Sequence, residues 1–196
     1  LGSDSKTRST NTTLTLDGNR EYVEENELTS GALVVAYGGD VEICDNVVLQ
    51  NNVNNDVKHG GAVLIYGAEN QANIMAEIHN CYAENGGGGV CVVGVTEEVY
   101  VGSVVNCSTN GNGGAVAAVK TLTDASLEII HKLYGKTSNL VSTNSEEIDV
   151  GAIVISDDVT YDSNYANGDG GAIYSEGDIY LQGDLNLTNN HTSSSN

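Results

Sequence analysis

The chain has 196 residues and a formal net charge of −20, with 27 acidic residues against 7 basic ones. A surface of that sign repels phosphate backbones and anionic headgroups, so no nucleic-acid partner is expected, and no run of about 18 apolar residues is present for direct membrane insertion. It opens on Leu1 with neither an initiator methionine nor an apolar leader, which reads as a mature chain or an excised segment.

Residues 1–30 read as an N-terminal arm and a first coil or cap. They carry an N-glycosylation sequon at Asn11 and an oxygen-rich turn at Asp17-Gly18-Asn19. From residue 31 a two-part signal recurs. Its first part is a Gly-Ala-aliphatic step: Gly31-Ala32-Leu33, Gly60-Gly61-Ala62-Val63, Gly88-Gly89-Val90, Gly113-Gly114-Ala115-Val116, Gly151-Ala152-Ile153 and Gly170-Gly171-Ala172-Ile173. The second is an apolar residue three places before an asparagine: Leu49 to Asn52, Tyr82 to Asn85, Cys107 to Asn110, Tyr161 to Asn164 and Leu187 to Asn190. Between the copies lie short β-branched runs broken by Gly, Asn and Asp, not helical patterns. The expected fold is therefore all-β, a right-handed parallel β-helix of about seven irregular coils over residues 31–190.

Aligned on the alanine, the coils give an inward ladder of Leu33, Val63, Cys91, Val116, Ile153 and Ile173. A second inward ladder follows two residues on. The positions between them, Val34, Leu64, Val92, Ala117, Val154 and Tyr174, should form an apolar outer stripe. Such a stripe needs cover from a loop or from another subunit, so it is expected to carry self-association. Val41-Glu42-Ile43, Ala76-Glu77-Ile78 and Leu127-Glu128-Ile129 alternate as half-buried strands do. Asn52, Asn85, Asn110, Asn164 and Asn190 should stack as an asparagine ladder at a tight corner. Between Thr121 and Val150 a helix from Thr123 competes with a strand at Leu127, and a loop near 136–147 is the main insertion. Residues 191–196 read as a polar tail.

Candidate chemistry is sparse. The sequons at Asn106 and Asn186 precede inward residues and should face solvent on one side of the solenoid, as glycosylation sites in a eukaryotic setting. Asn190, also in a sequon, falls in the ladder. Of the four cysteines, Cys91 and Cys107 read as inward, and Cys44 and Cys81 as outward. That register sets Cys81 and Cys107 on opposite faces and favours buried thiols over a bridge between them. Asp157-Asp158 with Asp162 is the one carboxylate group a glycosidase could use, but neighbouring strand side chains point oppositely. Lyases also need clustered cations, and the seven basic residues, Lys132 and Lys136 among them, are scattered. His59, His79, His131 and His191 lack metal-ligand spacing. Asn167-Gly168-Asp169-Gly170 and the Asp17 turn match no calcium repeat. No enzyme activity, metal or cofactor is expected.

Gly170-Gly171-Ala172-Ile173-Tyr174, preceded by Tyr161-Asp162-Ser163-Asn164, resembles the repeat of chlamydial polymorphic membrane proteins and related β-helical surface adhesins. The resemblance spans roughly residues 30 to 190. One departure stands out: the chain has no phenylalanine, and Tyr, Leu or Cys stands in that place. The resemblance implies an extracellular or cell-surface β-helix with a structural or adhesive role. Its expected partners are further copies of itself in a filament or array, and surface glycans. A polysaccharide-active enzyme is the alternative, and an ice-binding solenoid the third reading. The latter is disfavoured because Thr13 and Thr15 start no threonine ladder.

Overall fold

The structure is a computed structural model, and it describes residues 12–38, 40–67, 71–95, 97–121 and 150–193. The insertion near 136–147, the Leu127 strand, the Thr123 helix and Asn11 lie outside these residues.

The described chain winds as a β-solenoid. It opens with β1 (Leu14–Asp17) and a single helix, α1 (Arg20–Glu25). The first full coil is β2 (Val34–Tyr37), β3 (Val41–Ile43), β4 (Val47–Gln50) and β5 (Val53–Asn54). The second is β6 (Val63–Tyr66), β7 (Ala72–Ile74), β8 (Glu77–His79) and β9 (Tyr82–Ala83). The third is β10 (Val90–Val93), β11 (Val99–Val101), β12 (Val104–Val105) and β13 (Ser108–Thr109). The fourth is β14 (Val116–Val119), β15 (Ile153–Ile155), β16 (Thr160–Asp162) and β17 (Tyr165–Ala166), and the fifth is β18 (Ile173–Ser175), β19 (Ile179–Leu181), β20 (Asn186–Thr188) and β21 (His191–Thr192).

Equivalent strands pair in parallel, giving sheet I (β2-β6-β10-β14-β18), sheet II (β3-β7-β11-β15-β19), sheet III (β1-β4-β8-β12-β16-β20) and sheet IV (β5-β9-β13-β17-β21). The described residues thus make about five turns, against the expected seven or so. Gly151-Ala152-Ile153 is not a sheet I step, since Ile153 pairs with Val99 and Ile179 in sheet II. In the same way Ala76-Glu77-Ile78 belongs to sheet III, and the sheet II partner of Val41-Glu42-Ile43 is Ala72-Asn73-Ile74. His191–Thr192 is strand β21, paired with β17, so the tail does not begin at 191.

Partners one coil apart are 26 residues apart at Cys81 and Cys107, but 57 apart at Cys107 and Asn164. The fourth coil therefore carries the insertion, and it falls between β14 and β15. Extra chain at a corner leaves the strand register untouched, because the sheets depend on partners in adjacent coils and not on the path between strands within a coil.

The sheet I register also moves the predicted ladders. The inward row is Val34, Val63, Val90, Val116 and Ile173. The conserved geometry of the step lies in its first glycine. Gly60, Gly87, Gly113 and Gly170 have φ of 69°, 62°, 72° and 65°, and a Cβ on Gly60 would lie 2.1 Å from the carbonyl oxygen of Val63. Only glycine takes that bend cheaply. Counting from it, Leu33 is not equivalent to Val63, and Cys91 is not equivalent to Val116.

The main core runs down the axis between the four sheets. Ile43, Val47, Leu49, Val63, Ile65, Ile74, Ile78, Val90, Val104, Val116, Ile153, Ile155 and Tyr161 are all essentially inaccessible to solvent. Tyr161 is admitted because its hydroxyl donates to the Val101 carbonyl at 3.4 Å. At the start, β1 pairs with β4, and α1 takes the place of a sheet IV strand and buries Val23. At the other end Ile179, Leu181 and Leu187 follow the inward register of Ile153, Ile155 and Tyr161 but are 41, 52 and 40% exposed.

Candidate functional site at the stacked corner

The densest polar network lies where sheet III turns into sheet IV. The residue after each sheet III strand from β4 onward adopts the left-handed conformation: Asn51, Asn80, Asn106, Ser163 and Asn189 have φ of 52°, 50°, 54°, 56° and 54°. Asparagine tolerates that region better than other side chains. Its amides then link coils on the outer side: Asn80 Nδ2 donates to Asn51 Oδ1 at 2.9 Å, Asn51 Nδ2 to Asp17 Oδ2 at 2.9 Å, and Asn189 Nδ2 to Asp162 Oδ1 at 2.8 Å. This row has no counterpart in the sequence expectations.

The next residue turns inward and forms a second row: Asn52, Cys81, Cys107, Asn164 and Asn190. Its register is fixed by the pairs Val53 with Tyr82, Tyr82 with Ser108, Ser108 with Tyr165, and Tyr165 with His191. The predicted asparagine ladder is therefore right at Asn52, Asn164 and Asn190 and wrong at Asn85 and Asn110. Leu49, Tyr161 and Leu187 stand in sheet III, where Leu49 pairs with Ile78, Ile78 with Val104, Val104 with Tyr161 and Tyr161 with Leu187. Tyr82 instead starts sheet IV, and Cys107 is itself a ladder residue, so counting three from either runs past the corner. Asn85 is half-buried and Asn110 exposed.

Within the row the asparagine side chains serve the neighbouring coil. Asn164 Oδ1 accepts the Cys107 amide at 2.9 Å, and Asn190 Oδ1 accepts the Asn164 amide at 3.0 Å. Their Nδ2 groups donate to the carbonyls of Val104 at 2.8 Å and Tyr161 at 2.7 Å. Asn52 Nδ2 donates to the Gly31 and Gly61 carbonyls at 2.8 and 2.6 Å. In the middle coils sulfur replaces the amide. The Cys81 amide donates to Cys107 Sγ at 3.4 Å, while Cys81 Sγ and Cys107 Sγ approach the carbonyls of His79 and Val105 at 3.3 and 3.5 Å. Cys81 is thus inward and beside Cys107, not on the opposite face.

At its N-terminal end the corner borders a shallow groove lined by Asp17, Asn19, Arg20, Glu21, Glu24, Glu25, Asn51 and Asn80. Arg20 pairs with Glu24 at 2.9 Å and lies over the Tyr82 ring, 5.6 Å from its centroid. Hydrogen bonds from Gln50, the Asn19 amide and Asn51 hold the Asp17 carboxyl below its ordinary range. A second shallow groove, along sheet II, is lined by Asp40, Val41, Glu42, Gln71, Asn73 and Glu97. Both are dominated by carboxylates and amides.

The apolar stripe is not a free surface. Leu64 and Ala117 do lie on the outer face of sheet I, but both are buried in a cluster with Val57, Tyr66, Cys91 and Val93. Tyr174 shares their row and is half-buried. Val34 and Val92 point into the main core, and Val154 belongs to sheet II, where it is buried between Tyr100 and Tyr180 in register. Cys91 is thus an outer-face residue. His59 Nδ1 lies 3.9 Å from its sulfur. Burial pushes the His59 imidazole down to about 4 and the Cys91 thiol up to about 12, so the pair is neutral at pH 7 and offers no thiolate nucleophile. His59 Nε2 and the Tyr66 hydroxyl are buried without a hydrogen-bond partner, and Tyr66 stacks on Tyr37 at 5.2 Å.

The remaining sequence candidates are engaged separately. Asp157 and Asp158 form the exposed turn after β15, with Asp157 packed over Gly183 of the next coil. Asp162 accepts from Thr188 at 2.6 Å and from Asn189 at 2.8 Å, which holds its carboxyl below the ordinary range. Asn167 Oδ1 accepts from Tyr165 and Ser193, and the Asp169 amide donates to Asn112. Among the described residues no three His, Cys, Asp or Glu side chains are grouped to hold a metal. Asn106 is exposed at the corner and Asn186 on sheet III, whereas Asn190 is half-buried with its amide committed to Tyr161.

Fold and corner together define a β-solenoid repeat protein. No protein-family model matches the chain, and neither does any curated protein or solved structure.

Proposed function

We propose that the chain is a non-enzymatic structural or adhesive β-solenoid of the extracellular or cell-surface kind, and that it self-associates. The Gly-Gly-Ala-Ile and Tyr-x-x-Asn steps resemble the polymorphic membrane protein repeat, and the net charge of −20 is compatible with a solvated outer surface. The observation that carries the reading is the fifth coil. Ile179, Leu181 and Leu187 keep the inward register yet stand exposed, and among the described residues each sheet ends there on a strand paired on one side only. An apolar end with open strand edges fits another coil of the same repeat better than any other surface. We infer that the partner is a second copy, met at this face and not at the sheet I stripe, where Leu64 and Ala117 are buried within the chain.

Sedimentation velocity over a concentration series tests it. The native chain is expected to form dimers or longer species, and Leu181→Lys with Leu187→Lys to return it to monomer while leaving its β-sheet circular dichroism unchanged. A chain that stays monomeric throughout the series overturns the reading.

A further inference from the structure

The inner row of the corner changes chemistry in its middle. Asn52, Asn164 and Asn190 occupy it in the first, fourth and fifth coils, and Cys81 and Cys107 in the second and third. The two cysteines are equivalent positions of adjacent coils, because Tyr82 and Ser108, the residues directly after them, are register partners. Neither side chain is accessible to solvent. Each sulfur approaches the carbonyl two residues before its own, His79 for Cys81 and Val105 for Cys107, so the side chains leave the backbone in the same direction and stack. The Cys81 amide already touches Cys107 Sγ at 3.4 Å. Neighbouring strands are about 4.8 Å apart, inside the roughly 4.4–6.8 Å that a disulfide requires between Cα atoms.

We propose that Cys81 and Cys107 are a disulfide site, closed when the chain folds in the presence of a disulfide oxidant such as oxidised glutathione, and that the bond staples the second coil to the third. One cysteine thiolate attacks glutathione disulfide, forming a mixed disulfide and releasing one glutathione thiolate. The second cysteine thiolate then attacks the protein sulfur of that mixed disulfide, forming the Cys81–Cys107 bond and releasing the second glutathione. The glutathione S–S bond is reduced, the two protein thiols are oxidised, and their two protons end on the two glutathione thiols. Burial first, and then the hydrogen bond with Cys81, hold the Cys107 thiol well above its ordinary range, so the finished solenoid presents no thiolate there. The exchange accordingly belongs to the stage before the coils close. Cys44, between β3 and β4, and Cys91, on the outer face of sheet I, stand on other parts of the coil and have no cysteine at the equivalent position of a neighbour.

The full chain is refolded from denaturant in mixed reduced and oxidised glutathione and, separately, in reductant alone. It is then denatured, alkylated and cleaved after glutamate, where Glu84 and Glu98 separate Cys81, Cys91 and Cys107 onto different peptides. The oxidised preparation is expected to lose alkylation at Cys81 and Cys107 only, to yield one cross-linked peptide joining them, and to melt above the reduced preparation. Cys107→Asn, which installs the residue used in the fourth coil, is expected to fold and to leave Cys81 alkylated in both buffers. Four alkylated cysteines in the oxidised native chain, or a bridge that includes Cys44 or Cys91, overturns the proposal. So does loss of Cys81 alkylation in Cys107→Asn.

Discussion

His59 shows how one side chain can report on a whole face. It is 7% exposed, it bridges in register to Gly86 of the next coil, and its ring lies against Cys91. Burial lowers its pKa from 6.5 to about 4. Because the folded value is depressed, the unfolded chain takes up this proton first as pH falls. The neutral imidazole's contribution is therefore fully present above pH 6.5 and is lost between 6.5 and about 4, below which it levels off. The shift corresponds to about 3 kcal/mol at most. Urea midpoints measured at pH 7.5 and at pH 4.5 should fall markedly for the native chain and clearly less for His59→Leu. An equal fall in both would mean that His59 is solvated in the folded state. Asp17 and Asp162 are carboxyls held below their ordinary range, so their stabilisation is lost only at lower pH, below the ordinary aspartate value of 3.8.

At the scale of the element, the glycine step separates what the sequence made legible from what it hid. The apolar alternation of short strands and the recurrence of Gly-Gly led correctly to a parallel solenoid, since stacked coils must bury equivalent positions together. The register was less legible. Gly86 to Gly89 are four glycines in a row and can be aligned in several ways, and only the positive φ of Gly87 decides which one bends the chain. Tyr82-x-x-Asn85 imitates Tyr161-x-x-Asn164 although the two tyrosines stand in different sheets. The real ladder was masked because two of its five positions are cysteine, and because the neighbouring left-handed asparagines obey no spacing that hydrophobic periodicity detects. The outer cluster of sheet I reads in sequence only as strands apolar on both faces, which is compatible with an inter-subunit stripe as well as with intramolecular burial.

Two glycines test this account directly. Gly60 has φ of 69°, with backbone 2.1 Å from a would-be Cβ, whereas Gly31, at the same place in the first coil, has no positive φ and nothing within 4 Å. Gly60→Ala should cost more than about 1–2 kcal/mol, since the left-handed penalty and the clash act together. Gly31→Ala should be neutral or stabilise by about 0.4–1 kcal/mol through the unfolded chain. Chemical denaturation of both variants checks the pair; similar losses at the two sites would mean that the bend is not set by the first glycine.

For the molecule as a whole, a stack in which each coil touches only its neighbours has no reason to melt as a uniform block. The third coil lies between two complete coils, and its strands β10 to β13 are paired on both sides. The first coil is protected on its open side by β1 and α1, with Val41 and Ile43 buried. The fifth coil has no such cover among the described residues, and its inward residues Ile179, Leu181 and Leu187 remain exposed. Local opening free energy should therefore fall from the third coil to the fifth. Hydrogen exchange read by mass spectrometry on dilute protein is expected to show β18 to β21 exchanging first, β14 to β17 next, and β10 to β13 last. Association adds a second expectation, because pairing the open edges gives their amides new acceptors. Protection of β18 to β21 should then rise with protein concentration while that of β10 to β13 stays constant. If the fifth coil were protected equally in dilute and concentrated samples, its exposed leucines would be a frayed end and not a contact between copies.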